Sequence, residues 1–174
     1  MPHRCRPGLT GKHPVHVTVR VRPPVWNLRS RRSFRIVGAA LTGVLGRDGF
    51  GVTHFSVQGN HIHFIVEAAS AAALGAGMKA LCVRIARRLN GMMGSKGPVF
   101  ADRYHLHVLR TPTEVRRALH YVLGNFQSHA RRRGEPVSEY MRADPFASGD
   151  GRHRQLVTAP STWLLCTGWS RAPA

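Results

Sequence analysis

At 174 residues the chain is long enough for one domain with a full hydrophobic core and short for two. An apolar fraction of 43% excludes a disordered chain, and 26 Lys and Arg against 8 Asp and Glu leave a formal charge of +18. That imbalance points to a polyanionic partner. Only Lys12, Lys79 and Lys96 are lysines, so the charge sits on guanidinium forks, which suit phosphates and can stack on bases. A GC-rich genome would explain arginine over lysine but not the scarcity of acids.

The cysteines (Cys5, Cys82, Cys166) are odd in number and far apart, without CxxC spacing. This reads as reduced thiols in a cytoplasmic protein. Residues 1–10 have no apolar signal core, and no run approaches the ~18 apolar residues of a membrane helix. The expectation is a soluble, unexported, nucleoid-associated protein with no membrane partner.

In chain order, residues 1–13 form a basic arm rich in Pro and Gly. His16–Arg22 alternates and is β-branched, which predicts a strand ended by Pro23 and Pro24. Ser30–Leu45 spaces Phe34, Val37, Leu41 and Val44 as one helical face. Arg31, Arg32 and Arg35 in its first turns oppose the helix dipole, which is tolerable where a phosphate neutralises them. Val52–Gln58 and His61–Val66 read as two strands joined at Gly59-Asn60. Ser70 caps a helix reaching Met93, with Leu74, Met78, Leu81, Ile85 and Leu89 as its stripe and Arg84, Arg87 and Arg88 off it. Gly91, Gly94, Gly97 and Pro98 end it. Arg103–Leu109 is a further strand. Thr111-Pro112-Thr113-Glu114 is a capping box with Pro at the first helical position, opening a helix to Arg132. Gly134–Arg154 reads as a mobile linker, and Thr162–Leu165 as an apolar piece that docks back.

The expected fold is therefore α+β, a ferredoxin-like βαββαβ antiparallel sheet with the first and third strands central, plus one C-terminal helix. The expected division is an arm (1–13), a domain (14–133), and a linker and tail (134–174).

Two short patterns carry chemistry. On the strand Asn60–Glu67, His61 and His63 share one face while Ile62, Phe64 and Val66 take the other, so two adjacent imidazoles can chelate a cation. On the capped helix, Tyr121 and Asn125 stand one turn apart on one face, a phenol and a carboxamide together. Each pattern alone is weak: half-exposed strand histidines and packed helical tyrosines are common.

Together, the hydrophobic-His-x-His strand and the later Tyr-x-x-x-Asn helix resemble the HUH single-tyrosine transposases, and within them the REP-associated tyrosine transposase branch. The resemblance runs from Val15 to His129, about two thirds of the chain, and includes Phe100-Ala101-Asp102-Arg103-Tyr104-His105 and Leu109-Arg110-Thr111-Pro112. It implies a ferredoxin-like nuclease in which Tyr121 is the nucleophile and His61, His63 and Asn125 hold a divalent cation, Mg²⁺ or Mn²⁺. The implied reaction is metal-dependent cleavage and rejoining of single-stranded or hairpin DNA through a 5′-phosphotyrosine, by a monomer or a homodimer. One departure is Asn125-Phe126 where the family often has Asn-Pro.

Arg29, Arg31, Arg32, Arg35, Arg84, Arg87, Arg88 and Arg103 are the candidate DNA-contacting arginines. Glu67, on the histidine face, and His107 are candidate outer partners of the metal site. His105 and His107 form a second HxH, which with His61 and His63 would make a four-imidazole zinc site. Tyr104 is the rival nucleophile. The alternative function is a non-catalytic ferredoxin-like nucleic-acid-binding domain, which would display stacking aromatics on its sheet; Phe55, Phe64 and Tyr104 are the candidates.

Overall fold

The computed structural model describes residues 9–132, 144–149 and 151–173, with residues 125–132 as backbone only. Most of the 1–13 arm, the last residue of the expected domain, and residues 134–143 and 150 of the expected linker lie outside the described residues. Four strands, β1 (Val15–Arg20), β2 (Phe50–Val57), β3 (His61–Ala68) and β4 (His105–Val108), form one sheet in the order β2-β3-β1-β4. All pairings are antiparallel, and β1 and β3 are central. With helices α1 (Arg31–Thr42), α2 (Ala71–Met93) and α3 (Pro112–Arg132), this is the ferredoxin-like split βαβ fold plus one helix.

Local chemistry explains each boundary. Ser30 caps α1 by accepting from the Ser33 N–H, and Ser70 caps α2 by accepting from Ala73. Gly94 ends α2 at φ 64°, a left-handed position that costs glycine little. At α3 the capping box closes in both directions. The Glu114 N–H donates to Thr111 Oγ1, and Glu114 Oε2 accepts from the Arg110 and Thr111 N–H groups. Those bonds, led by the one from Arg110, hold the Glu114 carboxyl below the usual carboxylate range. At the β2–β3 turn, Gly59 O accepts from the Leu28 N–H and Asn60 O from the Val21 N–H, which fixes the turn against the chain between β1 and α1.

The two sheet faces are covered by different elements. Val15, Val17 and Val19 of β1 with Ile62, Phe64 and Val66 of β3 pack against Val37 and Leu41 of α1 and the expected α2 stripe. On the opposite face, Ile65 packs beneath Val115, Ala118, Leu119 and Val122 of α3, and Leu164 and Leu165 of the tail. The tail's apolar piece thus docks, inside a short helix α4 (Trp163–Cys166).

The stretch read as a mobile linker departs from that expectation where it is described. Ala147 bridges Ser56, Ser148 donates to Phe55 O, and Thr158 donates to Val52 O, so the described residues around Ala147 and Thr158 lie along the edge strand β2. Backbone groups that an edge strand would leave unpaired are satisfied here. Arg29 anchors this segment through a two-pronged ion pair to Asp144 at 2.9 and 2.8 Å.

Candidate active site

Strand register decides which polar groups meet on the α3 face. Thr18 of β1 lies opposite His63 of β3 and His105 of β4, and Arg20 lies opposite His61. His16, Thr18 and Arg20 therefore stand in rank beside the two β3 histidines, because their strand partners Val15, Val17 and Val19 occupy the other face. α3 crosses this face and brings Tyr121 over it. Tyr121 is 52% exposed, since Val115, Ala118, Leu119 and Val122 already supply the helix's packing stripe.

The result is a cleft of about 720 Å³ lined by His16, Thr18, Arg20, Asn60, His61, His63, Asp102, Arg103, His105 and Tyr121. The His61 and His63 rings are 4.8 Å apart, and the His63 and Tyr121 rings 5.1 Å, the latter nearly perpendicular at 76°. His61 Nδ1 is 2.8 Å from Asn60 Oδ1. His63 Nδ1 is 3.1 Å from Thr18 Oγ1 and 3.2 Å from His16 Nε2. Partners on Nδ1 orient each ring and make Nε2 the nitrogen it would offer a cation. The donor set, two oriented imidazoles on one strand face, suits such an ion. Among the described residues no three His, Cys, Asp or Glu side chains group to hold a metal. Asn125 stands one turn beyond Tyr121 along α3, and its side chain lies outside the described residues.

His16 packs beside both His63 and Tyr121, with ring centroids 5.2 and 5.9 Å away, so the three rings form a triangle. Burial, and secondarily the charge of His107, push its pKa below 6.5. Burial thus favours its neutral form.

Several sequence-derived roles change place. Glu67 shares the histidine face, but its carboxylate accepts four bonds from the tail, from the N–H and hydroxyl of Ser161 and of Thr162, at 2.6–2.8 Å. It clamps α4 rather than orienting a histidine. His107 lies 3.4 Å from Glu114 at the start of α3 and does not line the cleft. The four-imidazole zinc cluster is not formed among the described residues.

Arg29 is occupied by Asp144, Val57 O and the Phe146 ring, so it is a structural residue. Arg31, Arg32, Arg35, Arg84, Arg87 and Arg88 belong to α1 and α2, which pack on the other side of the sheet; of the eight, Arg103 alone lines the cleft. His63 is 3% exposed, not the half-exposed histidine that an alternating strand suggests, because α3 and the tail cover this second face. Tyr104 packs against the α1–α2 core. Phe55 and Phe64 are fully buried, so neither can stack on a base.

A helix laid across one face of a split βαβ sheet thus holds an exposed tyrosine over a cluster of histidines. No protein-family model and no curated protein sequence matches this chain. Among solved structures it is similar to a REP-associated tyrosine transposase bound to a REP hairpin, with a TM-score of 0.65 at 16% identity over 92% of this chain and 93% of that one. It is also similar to a candidate transposase from Deinococcus radiodurans R1, with a TM-score of 0.47 at 13% identity over 78% of this chain and 98% of that one. The fold is that of the REP-associated tyrosine transposase, as the sequence resemblance implied. Among the described residues no helix is long and apolar enough to cross a membrane.

Proposed function

We propose that this chain cleaves and rejoins single-stranded DNA through a tyrosine-linked intermediate, acting at hairpin or palindromic repeat DNA. The observation that carries this is the placement of Tyr121, exposed on α3, with its ring 5.1 Å from the ring of His63 in one open cleft. The similar transposase of known structure holds a REP hairpin, and the +18 charge suits a polyanionic strand.

Tyr121 Oη would attack the scissile phosphorus in line, forming the phosphotyrosine bond as the P–O3′ bond breaks. The phenol proton leaves and the departing oxygen is protonated as a 3′-hydroxyl. The new ester keeps the bond energy, so attack by a 3′-hydroxyl reverses the step without ATP. His61 and His63 would hold a divalent ion, Mg²⁺ or Mn²⁺, with Asn125 as a third, oxygen ligand. That ion, when bound, supplies positive charge at the phosphate. A phenol ordinarily ionises near pH 10, so it needs nearby positive charge or a proton acceptor to react at neutral pH. Arg20 and Arg103 line the cleft where they can hold the strand's backbone.

The test is a covalent adduct with oligonucleotides carrying the hairpins that flank the gene, in Mn²⁺. Wild type and Tyr104→Phe should form it and Tyr121→Phe should not, with peptide mapping placing the DNA on α3. An adduct on Tyr104 would remove Tyr121 from its role. Tight binding to those hairpins with no adduct would instead support a non-catalytic binding domain.

A further inference from the structure

The turn between β1 and α1 places an indole ring in water. Trp26 is 48% exposed, and unlike the similarly exposed Trp163 and Trp169 it stands beside the end of β1 that enters the cleft. It borders a separate concavity of about 300 Å³, whose lining also includes Arg22, Asn90, Lys96 and Pro98 and, among the described residues, no acidic one. The Arg32 guanidinium, from the first turn of α1, lies 5.7 Å from the centre of the Trp26 ring. A flat aromatic surface ringed by cations is the chemistry that holds an unstacked nucleobase and its phosphates. It also places Arg32, which packs away from the Tyr121 cleft, beside a feature that can use it.

This concavity adjoins the cleft. Arg20 lines the cleft and Arg22 the concavity, two residues of extended chain apart, about 7 Å. The segment after α2 forms a wall common to both. Val99 O accepts from the Arg22 N–H, and the Ala101 N–H donates to Arg20 O. Pro98 therefore faces one side and Asp102 and Arg103 the other.

We propose that Trp26 is a base-stacking subsite for the single strand leaving the Tyr121 cleft, one nucleobase lying on the indole while Arg22, Lys96 and Arg32 take the neighbouring phosphates. The proposal rests on the reading of the cleft as a single-strand DNA site and names where that strand goes next. A blunt duplex keeps its base faces stacked inside and gains only the charge contacts, so the subsite discriminates strand type.

The experiment measures binding of labelled single-stranded oligothymidine and of a blunt duplex of equal length to the full chain in EDTA, across a salt titration. Trp26→Ala should weaken single-strand binding roughly ten-fold or more, the range that loss of one base–aromatic stack gives. Duplex binding should hardly change, and Trp26→Phe, which keeps a ring, should recover most of the loss. Arg22→Gln and Lys96→Gln should each lower the salt slope by about 0.7, the value for one phosphate of a single strand. Equal single-strand affinity for Trp26→Ala and parent, or an equal loss on both DNA forms, overturns the subsite. Adduct formation at Tyr121 is read separately. A chain that forms the adduct with no Trp26 effect loses only the subsite, whereas a selective Trp26 effect without any adduct keeps the subsite and removes the nickase reading.

Discussion

Arg29→Ala separates a structural arginine from a DNA-contacting one. The substitution removes both prongs of the bond to Asp144, at 2.9 and 2.8 Å, the bond to Val57 O at 2.9 Å, and the stacking on Phe146. It leaves behind a carboxylate whose side chain is only 1% exposed. Breaking a buried pair by deleting one partner costs about 3–5 kcal/mol, because the remaining charge is neither hydrated nor compensated. For a chain of this size each kcal/mol lowers the midpoint of thermal unfolding by about 2–4 °C, so a fall of roughly 6–20 °C is expected. Asp144→Asn should cost less than Arg29→Ala, since the charge it leaves, on Arg29, is 18% exposed rather than 1% and keeps its bond to Val57 O, while the Asn carbonyl can still accept from the Phe146 N–H. The companion measurement is the salt dependence of DNA binding at a temperature where the variant is folded. A phosphate-contacting arginine contributes about 0.7–0.9 to that slope, and Arg29 should contribute none. An unchanged melting midpoint together with a slope lowered by about one would refute the structural assignment.

Other outcomes follow from the same geometry. Glu67→Gln loses acceptor capacity at four short bonds, so it should destabilise by about 2–4 kcal/mol and make the tail after Thr158 the first site of proteolysis; a tail as protease-resistant as in the parent would argue otherwise. His54 is held below 6.5 chiefly by burial, with Glu67 opposing. Its neutral form is thus favoured by folding, giving stability that is full above 6.5 and lost as pH falls toward the lowered native value. Urea midpoints should therefore drop from about pH 7.5 to about pH 5, less steeply in a His54→Gln variant that still folds. His61→Ala should reduce cleavage by more than the ~10–100-fold typical of losing an outer-shell partner. EDTA should mimic it in wild type and Mn²⁺ or Mg²⁺ should reverse that, whereas cleavage unaffected by either treatment would dismiss the metal. His63→Ala should lower stability as well, since that ring is buried against Thr18 and His16.

Much of this protein was legible without coordinates because its information is local. The period of the valines in β1, the Ser70 cap and stripe of α2, and the Thr111–Glu114 box each depend on residues within a turn or two of one another. Capping bonds and side-chain alternation specify such elements from short stretches of sequence. The facing of His61 with His63 followed from the pleat alone, and the order of elements named the topology.

What the sequence could not contain was the meeting of faces. His16, Thr18 and Arg20 were visibly the polar side of β1, yet only the pairing of β1 with β3, in one register, sets them beside the histidines. Arg29 and Asp144 are distant in the chain, and a charged pair closed across such a loop leaves no periodic trace. Glu67 looked like a partner for histidine because it shares their face, until Ser161 and Thr162 arrive from the tail and take both its oxygens. The arginines of α1 and α2 were chosen for their charge, which composition reveals. The sheet then decides which side of the molecule they occupy, because packing Val37, Leu41 and the α2 stripe against one face carries their neighbours there with them.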